Sequence, residues 1–170
     1  MPQLAADTKH RVAFHLNGRK VEVLAENRML LSDLLRHELG ATGTHVGCEH
    51  GVCGACTVQV DGAPVRACLI LAAQIDGADV RTVEALTPTA QQLSPLQAAF
   101  REKHGLQCGF CTPGILMTLD ALLTARPDAS EQEIREHLSG HLCRCTGYAT
   151  IVAAALAAVE EMRKEQKYNA

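Results

Sequence analysis

Along the first half of the chain apolar and polar residues alternate, whereas along the second half the apolar ones recur at helical spacing. Val12, Phe14 and Leu16 fall on one side of the stretch Arg11 to Leu16. A period of two is that of a strand with one buried face. Asn17-Gly18 follows, the pair favoured in a two-residue type I′ turn, and Val21 and Val23 then share a face. This predicts a β-hairpin. From Met29 to Leu39 the apolar residues stand at 30, 31, 34, 35 and 39, predicting an amphipathic helix stopped by Gly40. Thr57 to Val60 reads as a strand, Asp61-Gly62 as a tight turn, and Val65 to Leu71 as the partner strand, which would carry Cys68. Val80 to Val83 predicts a further short strand. Hairpin, helix, loop, hairpin and strand in this order form a β-grasp arrangement.

Helix signals dominate after residue 92. Ser94-Pro95-Leu96-Gln97 has Ser at the N-cap, Pro at the first helical position and Gln three residues on, a capping box. That helix is expected to reach Lys103 and stop at Gly105. Thr112-Pro113 opens a second, with Ile115, Leu116, Leu119, Leu122 and Leu123 as its apolar stripe. Ser130-Glu131-Gln132-Glu133 is another capping box, its helix ending near Gly140. A last helix is predicted from Thr146 onward, with a polar end from Arg163. Four helices suggest a small bundle. The join, 84–92, carries Pro88 and polar residues and reads as a linker. The expected fold is α+β, with a β-grasp domain over 10–85 and a helical domain over 92–163.

Composition narrows the function. Two halves of roughly 80 residues each have thin cores, and a metal site would add stability. There is no Trp and aromatics are 3% of the 170 residues, so Leu, Ala, Val and Ile must fill both cores. A net charge of −3 gives no electrostatic case for nucleic acid or an anionic membrane. The start, MPQLAADTKHRV, has no apolar core of a signal peptide, and the run Ile151 to Val159 is too short to span a bilayer. A cytoplasmic protein without membrane insertion is expected. In a reducing compartment, paired cysteines point to metal or redox chemistry rather than disulfides.

The eight cysteines divide into two quartets with none left over. Cys48, Cys53, Cys56 and Cys68 read C-x4-C-x2-C-x11-C, and the first three sit in a loop with Gly43, Gly47, Gly51 and Gly54. This is the plant-type spacing for a [2Fe–2S] cluster held by four thiolates. Zinc is the alternative for four sulfurs, but paired C-x2-C knuckles would be more usual for it. Cys108, Cys111, Cys143 and Cys145 read C-x2-C-x31-C-x-C. Each of their two pairs precedes a predicted helix, whose free N–H groups and positive dipole end favour an anionic centre. Arg144 would act in the same sense, or else face solvent or help dock a domain. His45 and His50 flank Cys48, but four cysteines leave no need for a histidine ligand. Asp120 and Glu133 read as solvated helix positions. No nucleophile–base pair, phosphate loop or dinucleotide fingerprint is present, so no catalytic residue is assigned.

Three motifs in order then carry a resemblance: Cys48-Glu-His-Gly-Val-Cys53-Gly-Ala-Cys56, Gln107-Cys108-Gly-Phe-Cys111-Thr-Pro-Gly114 and Cys143-Arg-Cys145-Thr-Gly-Tyr148. The chain resembles the small iron–sulfur subunit of molybdenum hydroxylases, the family of xanthine oxidase, aldehyde oxidoreductase and carbon monoxide dehydrogenase, over about Val12 to Val159. The resemblance implies a plant-ferredoxin-like N-terminal domain and a C-terminal four-helix-bundle domain. It implies that Cys108, Cys111, Cys143 and Cys145 hold a proximal [2Fe–2S] cluster and that Cys48, Cys53, Cys56 and Cys68 hold a distal one. Gln107 matches the family residue that contacts the molybdopterin. The implied partners are a large molybdopterin-binding subunit, with the cofactor in a dinucleotide form, and a medium FAD-binding subunit, together a heterotrimer. Electrons would pass one at a time from the molybdopterin centre through both clusters to the flavin or another acceptor. A free-standing ferredoxin and a zinc-stabilised interaction module are the competing readings.

Overall fold

The structure is a computed structural model that describes residues 8–87, 89 and 92–168, with the side chains of 165–168 left aside. Strand β1 (Lys9–Leu16) and strand β2 (Arg19–Glu26) form the expected hairpin, with Leu16 opposite Arg19. Asn17 and Gly18 take φ of 52° and 77°, the left-handed pair that a type I′ turn requires. Val12 and Phe14 are buried as the alternation predicts.

The helix after the hairpin is not a regular one. Helix α1 (Leu31–Asp33) widens at once into a π-helical turn over Leu34–Glu38. The wider turn lets Leu31, Leu34 and Leu35 all be fully buried, and Gly40 ends it at φ 70°. Strands β3 (Thr57–Val60), β4 (Ala63–Arg66) and β5 (Asp79–Arg81) complete a mixed five-stranded sheet of order β2-β1-β5-β3-β4. β1 and β5 run parallel; the other pairs are antiparallel.

Two expectations about strands are corrected. β4 ends at Arg66, opposite Thr57, and a 3₁₀ turn over Ala67–Leu69 follows, so Cys68 lies in that turn and not on a strand. A strand would alternate Cys68 past the loop, whereas the turn swings it beside Cys56. Likewise β5 stops at Arg81, and Val83–Leu86 form a 3₁₀ turn. Of the expected linker, residues 88, 90 and 91, Pro88 among them, lie outside the described residues.

Helices α2 (Pro95–Glu102), α3 (Thr112–Ala125), α4 (Glu131–Leu138) and α5 (Ala149–Tyr168) make up the second half. Ser94 and Ser130 each accept a backbone N–H from the third helical residue, whose side chain returns the bond, so both capping boxes are present. α5 begins three residues later than the sequence suggests. Gly147 and Tyr148 hold φ of 65° and 68°, which keeps Thr146 to Tyr148 out of the helix.

Each half has its own core. Val12, Phe14, Leu31, Leu34, Val58 and Ile75 belong to the first, and Phe100, Ile115, Leu119, Ile134 and Ile151 to the second. Burying each such side chain is worth about 1.5–3 kcal/mol. Strand β3 joins the halves. Thr57, Val58 and Gln59 are all buried, because Val58 faces the first core while Gln59 turns its amide to α3. Gln59 Nε2 donates to the Met117 carbonyl at 3.0 Å and to Asp120 at 2.9 Å. Arg81 pairs with the same Asp120 carboxylate at 3.3 Å. Asp120 is therefore a fastening between the halves and not a solvated helix position. Glu133 closes its capping box and pairs with Arg126.

Candidate metal centres

The loop between α1 and β3 folds back on itself around Cys48. The backbone N–H groups of Cys53 and His50 each point at Cys48 Sγ from 3.4 Å. These donors, that of Cys53 foremost, stabilise a thiolate and lower the Cys48 thiol to about 6. Backbone N–H groups aimed at sulfur are what an anionic cluster needs around its ligands. Cys56 lies just before β3, where burial and then neighbouring Cys68 act on it, and its thiol is pushed up to about 11. Burial disfavours the free thiolate, so metal binding at Cys56 must displace the thiol proton. Cys53 acts on Cys56 as well, so the four thiols form a chain of neighbours, from Cys48 to Cys53 to Cys56 to Cys68.

The second quartet assembles from two loops. Cys111 is the N-cap residue of α3 and is buried; burial, then Cys143, pushes its thiol to about 12. Burial acts upward on Cys143 too, but hydrogen bonds from Thr146, Cys145 and Cys111 outweigh it and the thiol is lowered. Thr146 Oγ1 donates to Cys143 Sγ at 3.1 Å. Cys145 is raised, chiefly by its hydrogen bond with Cys108. Cys108 and Cys145 are exposed, so this site opens at the surface.

Helix dipoles contribute less here than the sequence suggests. Cys111 does stand at the start of α3. Cys143 and Cys145, however, precede α5 by a turn that carries Gly147 and Tyr148 at positive φ, so α5 does not begin at the pair. Tyr148 does the work instead. Its hydroxyl accepts the Cys143 N–H at 2.8 Å and donates to the His141 carbonyl at 2.9 Å, fixing the loop. Neither Tyr148 nor Thr146 was recognisable from the sequence as a loop brace. Arg144 is exposed to solvent.

Among the described residues no three His, Cys, Asp or Glu side chains converge on a single-ion position. The thiols are paired instead: Cys56 with Cys68, Cys111 with Cys143, Cys108 with Cys145, and Cys48 under the amide of Cys53. A donor set of sulfur alone, arranged as pairs, fits two irons with two thiolates each. His45 and His50 are not in either set. His45 stacks on Phe110, with ring centroids 4.9 Å apart, and its Nδ1 lies 2.8 Å from the Phe110 carbonyl oxygen. Gln107 is exposed in the loop before Cys108.

The two sites abut. Leu142, next to Cys143, donates its N–H to the carbonyl of Cys53 at 2.9 Å. Glycines make this approach possible. A Cβ on Gly54, at φ 77°, would stand 2.5 Å from His141 Nδ1 and 2.7 Å from the Gly140 oxygen. One on Gly114 would stand 2.2 Å from the Gly54 oxygen. His141 is buried in this seam, with Nε2 and Thr118 Oγ1 2.7 Å apart; burial first, and Arg66 second, lower it to about 4.

Comparison with known proteins agrees with this geometry. Residues 14–87 match the 2Fe-2S iron-sulfur cluster binding domain, and residues 82–156 match the [2Fe-2S] binding domain. The caffeine dehydrogenase subunit gamma of Pseudomonas sp. (strain CBB1) is 57% identical over 150 residues, covering 86% of this chain and 89% of that protein. The nicotine 6-hydroxylase small subunit of Paenarthrobacter nicotinovorans is 57% identical over 141 residues, 83% of this chain and 84% of that protein. The chain belongs to the small iron–sulfur subunits of the molybdenum hydroxylases, the xanthine oxidase family. The crystal structure of quinoline 2-oxidoreductase from Pseudomonas putida 86 superposes on this iron–sulfur subunit with a TM-score of 0.88 at 47% identity, covering 93% of this chain and 98% of that one. Family membership makes the chain a [2Fe–2S]-binding part of an oxidoreductase whose substrate chemistry takes place on another subunit. No helix among the described residues is long and apolar enough to cross a membrane.

Proposed function

We propose that this subunit carries electrons singly from the molybdopterin centre of a large subunit, through two [2Fe–2S] clusters, to a flavin subunit or another acceptor. The observation that carries this reading is the close approach of two all-sulfur sites, joined by the hydrogen bond from Leu142 N–H to Cys53. When bound, each cluster would supply a one-electron store that changes charge without making or breaking bonds to the protein. Cys48, Cys53, Cys56 and Cys68 hold the distal cluster, in a ferredoxin-like domain over 10–85. Cys108, Cys111, Cys143 and Cys145 hold the proximal one, in a four-helix-bundle domain over 92–163. The N–H groups of His50 and Cys53 and the hydroxyl of Thr146 stabilise sulfur charge at these sites.

Gln107 is the residue that contacts the molybdopterin. Its exposure beside Cys108 and Cys145 supports this, because the proximal site opens there and an amide both donates to and accepts from a pterin ring. Exposed apolar side chains at Phe110 and Leu142 surround the same opening and suit a docked large subunit. Val52 and Leu69, 63% and 60% exposed, lie against the first site and suit the acceptor side. The holoenzyme would be a cytoplasmic heterotrimer. Relatives named for caffeine, nicotine and quinoline support a nitrogen heterocycle as its substrate, selected in the large subunit.

The test is spectroscopic. The purified complex should show two distinct [2Fe–2S] signals on reduction. Cys108→Ser should leave substrate able to reduce molybdenum while blocking reduction of the acceptor; ordinary turnover in that variant would remove the proximal assignment. A colourless zinc protein would favour the interaction module. A lone, stable chain in native extracts would favour a free ferredoxin.

A further inference from the structure

Arg66 sits at the end of β4, two residues before Cys68, and reaches across the seam between the halves. Nη1 donates to Thr57 Oγ1 at 2.5 Å, and Nη2 donates to the Gly140 carbonyl at 2.6 Å. Thr57 in turn donates from Oγ1 to the Gly54 carbonyl at 2.6 Å and from its N–H to the same oxygen at 3.1 Å. One guanidinium thus ties the segment after Cys53 to the segment before Cys143. Between those segments lies the Leu142 N–H···O=C Cys53 hydrogen bond of 2.9 Å.

That bond completes a connection in which every step but one is covalent. It runs from Cys143 along the backbone to the Leu142 nitrogen, across the hydrogen bond, and through the Cys53 carbonyl to the Cys53 side chain. Electron tunnelling decays more slowly along bonds and hydrogen bonds than across empty gaps. The His45–Phe110 contact, a ring stack with His45 Nδ1 2.8 Å from the Phe110 carbonyl oxygen, runs through a half-exposed residue and includes no cysteine. Charged donors make the stronger hydrogen bonds, and the planar fork of arginine fixes two acceptors at a set distance.

We propose that Arg66 is a positioning residue for electron transfer between the two sites, acting by holding Gly140 against the Thr57–Gly54 turn so that the Leu142–Cys53 hydrogen bond stays closed. The proposal rests on the two-cluster reading above. In the step it serves, one electron leaves the Cys108/Cys111/Cys143/Cys145 site, which is oxidised by one, and arrives at the Cys48/Cys53/Cys56/Cys68 site, which is reduced by one. No bond breaks, and the proton stays on the Leu142 nitrogen. Nothing in the sequence marks Arg66 for this, since it stands inside the strand predicted from Val65 to Leu71.

The experiment uses the holoenzyme with wild-type chain, Arg66→Met, Gly140→Ala and Asp120→Asn. A Cβ at Gly140 would stand 2.7 Å from Arg66 Nη2, so Gly140→Ala keeps the arginine but dislodges its guanidinium. Asp120→Asn loosens the junction between the halves at a separate place and serves as the control for general loosening. Iron content, melting temperature, the magnetic splitting between the two reduced clusters, and the rate of electron transfer between them after flash reduction are measured. Arg66→Met and Gly140→Ala should keep both clusters and lose the splitting and the fast transfer, while Asp120→Asn keeps them. Native splitting and rate in Arg66→Met, or an equal loss in Asp120→Asn, would overturn the proposal. If Arg66→Met does not fold, Gly140→Ala decides by the same readings. A wild-type complex with a single [2Fe–2S] signal would instead defeat the two-cluster reading itself.

Discussion

Gln59 on β3 donates its side-chain amide to the carboxylate of Asp120 on α3, 2.9 Å away, so a polar pair fastens the sheet to the helices. Gln59 is buried, and its amide also reaches Met117 while its oxygen accepts from Arg81 at 3.1 Å. Gln59→Leu would strip Asp120 of one donor and Arg81 of an acceptor. The expected cost is about 1–3 kcal/mol, read as a lower denaturation midpoint. An unchanged midpoint would mean that water replaces the amide without loss.

Gly114 separates propensity from packing. In a helix interior, Gly→Ala is expected to stabilise by roughly 0.5–1 kcal/mol. Here the added Cβ would lie 2.2 Å from a backbone oxygen of Gly54, which cannot swing aside as a side chain would. Gly114→Ala should therefore lower the melting temperature and reduce iron retention at the second site. A higher melting temperature with full iron content would show that the seam is looser than described.

Glu133 gives a pH signature. Hydrogen bonds from Ser130, and then Arg126, hold its carboxyl below the usual carboxylate value of 4.5. A lowered folded value means the stabilisation is present above the unfolded value and is lost as pH falls through the folded one. The stability gap between wild type and Glu133→Gln should thus be open at neutral pH and shrink below about pH 4.5. A gap independent of pH would assign the effect to packing. Ser130→Ala, which removes the N-cap of α4, should cost about 1 kcal/mol.

Single ligand substitutions should split the metal content. Cys56→Ser is expected to remove one reduced [2Fe–2S] signal and half the iron, and Cys111→Ser the other signal. If both variants lost the same signal, the division of the cysteines into two quartets would be wrong.

The cysteine arithmetic was legible because ligand chemistry is local: three thiols within nine residues, among glycines, can serve one centre whatever surrounds them. The capping boxes at Ser94 and Ser130 were legible for the same reason, being closed within four residues. Where sequence reading missed, a distant partner decided. Cys68 left its predicted strand because β4 pairs only as far as Arg66. Asp120 looked solvated because its partners, Gln59 and Arg81, lie about 60 and 40 residues away.

The sequence by itself determined the two spacings of its eight cysteines, most of the elements around them and the family to which it belongs. Those follow from residue type and short spacing, which the unfolded chain already carries. Only the tertiary structure decided that Leu142 meets Cys53, that Arg66 braces the seam, and that Gly54, Gly114 and Gly140 lie where side chains would collide. Each of these is a contact between segments far apart along the chain. Their register is set by the packing of two cores and a shared strand, and no local pattern encodes it.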